Sequence, residues 1–264
     1  MQAELEGDVP HVFAARMDLH ITQRIAGWIT TAWIICQSLC AQTGIRPTWE
    51  FREDTSLTVT LQELRHVVPR AAQAEMEKAY KAGLRHQPEQ ELEHLRKAIL
   101  IDPEYIAARN NLGVCLLEIE PASAIVQWEE AIKVNPHKGV LYNNLAIGYV
   151  LIRNLEGAER AARMAIELDR TTNRARALLG LVLYEEHKYT AETSALLERA
   201  SSEYDITHVF AARVLMERGE FQKARTHIQA YLSGGDTEYR KDASELLDFI
   251  DHSGQARDSS PDQF

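Results

Sequence analysis

The ten residues NNLGVCLLEI at 110–119 return 33 positions later as NNLAIGYVLI at 143–152, keeping Asn-Asn-Leu and a small residue in order while charge and bulk change. This repetition constrains the fold more than any other feature of the chain. A unit so short cannot bury an apolar face alone, so it must stack on copies of itself. The match extends downstream, with Ala124, Trp128, Ala131 and Pro136 after the first phrase and Ala158, Ala162, Ala165 and Arg170 after the second. Apolar and small residues fall at i, i+3, i+4 and i+7 in two runs separated by a short turn, which predicts a helical hairpin per unit. Gly113, Ala124, Ala131, Ala146, Ala158, Ala165, Gly180 and Ala200 are predicted to let helices approach closely. Leu112, Leu116, Trp128, Leu145, Tyr149, Leu179, Leu183 and Leu197 then fill the remaining space.

The pattern resembles the tetratricopeptide repeat, whose signature runs W-x2-L-G-x2-Y, then Ala, an aromatic or apolar residue, Ala and Pro over about 34 residues. Unit 139–172 carries Tyr142, Leu145, Ala146, Tyr149, Ala158 and Ala165. Unit 105–138 has a turn, EIEPAS, one residue short, and unit 173–205 has one residue extra at 187–191. Two weaker units flank these. Unit 72–104 ends on Leu95, Ala98 and Pro103 but has Glu91 where alanine is expected, and unit 206–232 ends on Gly219, Phe221, Ala224 and Ile228. The resemblance implies an all-α, right-handed superhelical solenoid of about five hairpins with a concave inner surface. It also implies a noncatalytic scaffold that needs no cofactor and holds a protein or peptide partner in the groove.

In that family the inner face of each first helix lines the groove, one stripe of a 3.6-residue helix. Aligning Gly113, Ala146, Gly180 and Ala212 places Asn110, Asn111, Val114, Asn143, Asn144 and Ile147 on the stripe. Arg174, Leu178, Leu181, Tyr184, Phe210, Arg213 and Met216 continue it. An asparagine amide offers donors and an acceptor together, so stacked asparagines can hold the main chain of an extended peptide without reading its sequence. Asn111 and Asn144 are read as such rungs, as groove residues rather than packing residues, while Leu178 and Phe210 substitute an apolar floor flanked by Arg174 and Arg213. The competing reading, that asparagine merely suits the average helix of such repeats, stays open. The carboxylate clamp of chaperone-binding members is not reproduced, because no lysine accompanies these asparagines.

Around the array, residues 1–41 are read as a signal or targeting segment and 42–71 as a linker with a short amphipathic stretch. The array spans 72–235, a capping helix 236–252 and a disordered tail 253–264. The uncharged run IAGWITTAWIIC at 25–36 is 12 residues long, short of the roughly 20 needed to span a bilayer as a helix. Arg24 before it and small residues after it suit a signal peptide cut near Ala41, with Met17 as an alternative initiator. Export to the periplasm or cell envelope is therefore expected. An amphipathic helix packed on the first repeat, in a cytoplasmic protein, is the alternative, and membrane contact is expected only if the segment stays uncleaved.

Charge and chemistry narrow the function further. A formal net charge of −10 without clustered Lys and Arg argues against a nucleic-acid groove. None of G-x-S-x-G, G-x4-G-K-[ST], H-E-x-x-H or paired Cys-x2-Cys occurs. An enzyme with its site outside the repeats would have only residues 42–68 for it. Cys36, Cys40 and Cys115 give no disulfide framework, and Cys115 reads as a buried small residue. The histidines read as scattered surface residues, and Glu129-Glu130 and Glu185-Glu186 as exposed helix faces. A membrane-tethered envelope assembly factor remains the second functional reading.

Overall fold

The computed structural model describes residues 66–235 and 239–258. These residues all belong to one unit, 56–264. The expected signal segment, the linker up to residue 65 and residues 259–264 of the expected tail lie outside the described residues.

The described residues form eleven helices and no strand. They pair as α1 (Arg70–Leu84) with α2 (Pro88–Ile101), α3 (Ile106–Leu116) with α4 (Pro121–Val134), and α5 (Gly139–Leu151) with α6 (Leu155–Leu168). The series continues with α7 (Asn173–Glu185) and α8 (Ala191–Ala200), then α9 (Ile206–Glu217) and α10 (Phe221–Ser233), and ends on α11 (Arg240–Asp258). Each second helix packs on its own first helix and on the first helix of the next hairpin. The first helices α5, α7 and α9 also touch one another, which puts first helices on the inside of the curve. The architecture is the expected all-α, right-handed superhelical solenoid of five hairpins closed by a capping helix.

Local chemistry explains the helix limits. Pro88 and Pro121 open α2 and α4, where a missing N–H costs nothing. Asn154, Thr172 and Thr190 cap α6, α7 and α8 by accepting from the backbone N–H three residues on. Between helices of a hairpin the chain turns through a left-handed residue at His86, Arg153, His187 and Gly219. Only the last is glycine, the residue that adopts this conformation without strain. Each of the first three second helices ends on Asp102, Asn135 or Asp169 with nearly one backbone conformation, φ −137, −137 and −134°. Each side chain accepts the N–H two residues on (Glu104, His137, Thr171), an Asx turn written once per repeat.

The core follows the repeat. Ala124, Ala131, Ala146, Ala158, Ala165 and Ala200 are 0–1% exposed. Trp128 is fully buried and crosses from one hairpin to the next. A Cβ on Gly113 of α3 would lie 2.6 Å from its Cε2, and one on Gly148 of α5 would lie 3.0 Å from its Cζ3. The indole is thus gripped between two glycines, and Nε1–H donates to the Asn110 carbonyl at 3.3 Å. In the first hairpin Glu91 occupies the place of Ala124 and Ala158, the fourth residue of its helix. Its carboxylate sits 3.0 Å from where a Cβ on Gly83 would be, so glycine makes room for it.

At the far end Tyr239, Ala243, Leu246 and Ile250 bury the predicted face of α11, and the Tyr231 hydroxyl accepts from the Tyr239 N–H at 2.9 Å. The helix runs on to Asp258, six residues past the expected limit at 252. Residues Gln255, Ala256 and Arg257 lack apolar periodicity but are good helix formers, so a helix already nucleated continues through them.

Candidate binding groove

Successive first helices meet at the predicted stripe. Asn111 Nδ2 of α3 lies 3.9 Å from Met76 Sδ of α1, and Asn144 Nδ2 of α5 donates to Asn110 Oδ1 of α3 at 2.9 Å. Tyr184 of α7 stands edge-on to Phe210 of α9, with ring centroids 5.0 Å apart. Residues 26 to 35 apart in sequence therefore sit side by side in space.

The asparagines depart from the reading that they are not packing residues. Asn110, Asn111, Asn143 and Asn144 are 7, 3, 5 and 8% exposed. Asn110 Nδ2 donates to Asn111 Oδ1 at 3.2 Å, so Asn144, Asn110 and Asn111 form a chain of amides running toward Met76. The physical reason is desolvation. An amide wedged between helices must be hydrogen-bonded, and an asparagine repeated at one register finds its partner in the neighbouring copy. Asn144→Ala should accordingly cost about 1–3 kcal/mol by depriving Asn110 Oδ1 of its donor. Urea unfolding checks this, and an unchanged midpoint would show that the amide chain carries no weight.

Two polar atoms on the stripe are left over. Asn143 Oδ1 and Arg213 Nη2 are sealed from solvent with no hydrogen-bond partner. The Arg213 guanidinium carbon stands 5.6 Å from the centre of the Phe210 ring. Around this end of the groove Tyr184 and Phe210 are buried, Leu178 and Met216 half-buried and Arg174 exposed.

Solvent reaches the inner face along a different line of residues. Val114 is 45% exposed, and Ile147 and Leu181 at the equivalent positions of the next two hairpins are half-buried. Tyr80 of α1, 34 residues before Val114 and 38% exposed, extends the line into the first hairpin. Sequence reasoning missed Tyr80 because the first hairpin lacks the Asn-Asn-Leu phrase, although the spacing alone locates it. The groove therefore presents apolar side chains in front and amides behind.

Other expectations also change. Glu129 and Glu130 are half-buried rather than exposed, and Glu129 accepts from the Tyr149 hydroxyl at 2.7 Å. Glu185 and Glu186 are half-buried too. Cys115 is only partly buried, its thiol 3.4 Å from Glu91 Oε1. Burial pushes the Glu91 carboxyl above its ordinary value and the Cys115 thiol well up, so neither is set up as a nucleophile at neutral pH.

Histidines far apart in sequence come together. His208 of α9 and His227 of α10 approach to 2.8 Å between their Nδ1 atoms. Burial holds both imidazoles below the usual value, and for His208 the neighbouring His227 adds to the effect. A base with a lowered folded-state pKa takes its proton first in the unfolded chain. Stability should then be full above about pH 6.5 and fall as the pH drops toward the folded values. Urea midpoints followed downward from neutral pH should show this loss, and His227→Gln should shrink it. A flat profile would mean the pair is not coupled to folding.

Among the described residues, no group of three or more His, Cys, Asp or Glu is placed to hold a metal ion, and no helix is long and apolar enough to cross a membrane. A cleft of about 320 Å³ opens between α2, α3 and α4, lined by Arg96, Ile99, Arg109, Leu116, Glu120 and Gln127, away from the stripe.

Solved structures share this architecture. The pilF protein of Pseudomonas aeruginosa superposes with a TM-score of 0.60 at 23% identity, over 72% of this chain and 86% of that one. A MamA protein gives 0.56 at 17% identity, over 62% and 91%. YrrB, described as a TPR protein with an unusual peptide-binding site, gives 0.54 at 17% identity, over 70% and 92%. No protein-family model and no curated protein sequence matches the chain. At these identities the likeness establishes the fold, that of a tetratricopeptide-repeat solenoid.

Proposed function

We propose that this chain is a noncatalytic scaffold that holds an extended peptide or protein segment along the inner face of its solenoid. The observation that carries the reading is the line Tyr80, Val114, Ile147 and Leu181, large side chains at one register of four hairpins, the first two exposed and the last two half-buried. A contiguous exposed apolar strip on a soluble surface marks an interaction site. Touching helices lie about 8–10 Å apart and an extended chain advances about 3.3 Å per residue, so every third residue of a peptide would meet a rung. Affinity would come mainly from apolar contact. Asn110, Asn111 and Asn144 are engaged with one another, so they support the groove from behind rather than holding a peptide main chain. The peptide-binding site described for YrrB supports the same use of this fold.

The test is photo-crosslinking from two positions in the native cell extract. A crosslinker at Ile147 should capture one partner repeatedly, whereas one at Arg160 on the outer helix α6 should not. Capture of the partner from Arg160 with none from Ile147 would place binding on the convex side.

Export to the cell envelope is the second element of the proposal, supported by the apolar run at 25–36 and the small residues after it. Purified from its native host, the protein should begin near Ala41 or Gln42. An intact mass that retains the apolar run would instead favour the membrane-tethered assembly factor.

A further inference from the structure

We infer that Arg213 is an anion-recognising subsite at the end of this groove and that the bound segment presents a carboxylate to it. The inference rests on the groove reading and adds the chemistry of one ligand group.

Arg213 stands at the register that carries Tyr80, Val114, Ile147 and Leu181 in the preceding hairpins, so the apolar line ends in a cation. It is 7% exposed, and its Nη2 has no hydrogen-bond partner. A guanidinium keeps its charge at any physiological pH, and a buried charge without a counter-ion is costly. Other arginines of the molecule show the pairing that Arg213 lacks. The more exposed Arg163, Arg218 and Arg225 each meet a carboxylate, at 2.6 Å from Glu192, 2.7 Å from Glu220 and 3.2 Å from Asp251. A chain with 39 acidic residues and a net charge of −10 has carboxylates to spare. Yet the most buried of these four cations has none among the described residues.

Its surroundings fit a waiting donor. The Phe210 ring lies 5.6 Å from the guanidinium carbon, and Tyr184 braces that ring edge-on. An aromatic neighbour orients a guanidinium and excludes water but does not neutralise it. The planar fork of N–H groups matches a carboxylate in two parallel hydrogen bonds. No lysine stands on the stripe beside it, so the subsite is one arginine on an aromatic floor rather than a multi-residue clamp. The carboxylate could belong to an aspartate or glutamate side chain or to a free C-terminus.

A library of random short peptides with free C-termini, selected against the full chain, tests the assignment. Wild type should enrich apolar residues together with an acid at a fixed spacing, or with a fixed C-terminal end. An enriched peptide is then resynthesised with its acid changed to the amide residue, and separately with an amidated C-terminus. One of these two changes should weaken binding about tenfold or more by fluorescence anisotropy, which identifies the source of the carboxylate. Arg213→Met should erase that preference, keep the apolar one and melt at a higher temperature than wild type, because an unpaired buried charge has gone. A lower melting temperature, or a carboxylate preference that survives Arg213→Met, overturns the inference. Apolar enrichment without any carboxylate preference overturns it while leaving the groove reading standing. Peptides whose binding ignores Ile147→Glu, or no enrichment at all, overturn the groove reading and this inference with it.

Discussion

Trp128→Ala is expected to cost about 3–5 kcal/mol, the range for emptying a fully buried aromatic site, and Gly113→Ala to destabilise through the same contact. Trp128 is 0% exposed and fills the junction of the second and third hairpins. Removing a glycine from a helix interior normally gains about 1 kcal/mol. Here the added methyl would lie 2.6 Å from the indole, well inside contact distance. The ring cannot simply retreat, because Gly148 closes on it from α5 and its Nε1–H is tied to the Asn110 carbonyl. Overpacking of this kind costs about 1–3 kcal/mol, which outweighs the helix gain. The double variant is the discriminating measurement. With Trp128→Ala already in place, Gly113→Ala should change sign and stabilise, and a double-mutant cycle in urea would report the coupling. Additive effects would mean that glycine at position 113 has nothing to do with the tryptophan.

The contrast between Trp128 and the asparagines shows what a sequence of this kind makes legible. Hairpins, their boundaries and the small contact residues can be read because one physical cause produces both signals. Helical spacing marks the apolar face, and the 34-residue period marks the copy it packs against. Trp128 and Gly113 fall under that rule. Asn110 and Asn144 fall under it only in position, since the stripe can be placed but the choice between an amide facing a ligand and an amide facing its neighbour's amide depends on distances of a few ångströms. His208 and His227 are not part of the repeat signature and meet across the fifth hairpin, 19 residues apart. No periodicity announces them. Glu91 looks like a defect in the motif until Gly83 is seen beside it, where Leu117 and Val150 stand in later hairpins. Such a compensation is a pair property and is invisible position by position.

The double variant Ile147→Glu with Leu181→Glu is expected to weaken binding of the crosslinked partner more than a hundredfold while leaving the solenoid folded. Both residues are half-buried on the inner face, so in the free protein the new carboxylates can reach water and folding should lose little. In the complex they would be covered. A carboxylate taken out of water without a cation costs several kcal/mol, and two adjacent rungs compound the penalty. The comparison is with Arg160→Glu on α6, an exposed arginine 66% open to solvent whose partner Glu156 is 83% open. That change makes the molecule as a whole as much more negative as the groove variant does but touches no groove residue. It separates a local steric and electrostatic block from a general repulsion of an acidic partner, which salt would screen. Helicity and melting temperature, matched across the variants, guard against loss through unfolding. Full affinity in the groove variant, with loss in Arg160→Glu, would move the binding surface to the outer helices and leave the apolar line on the inner face without a ligand.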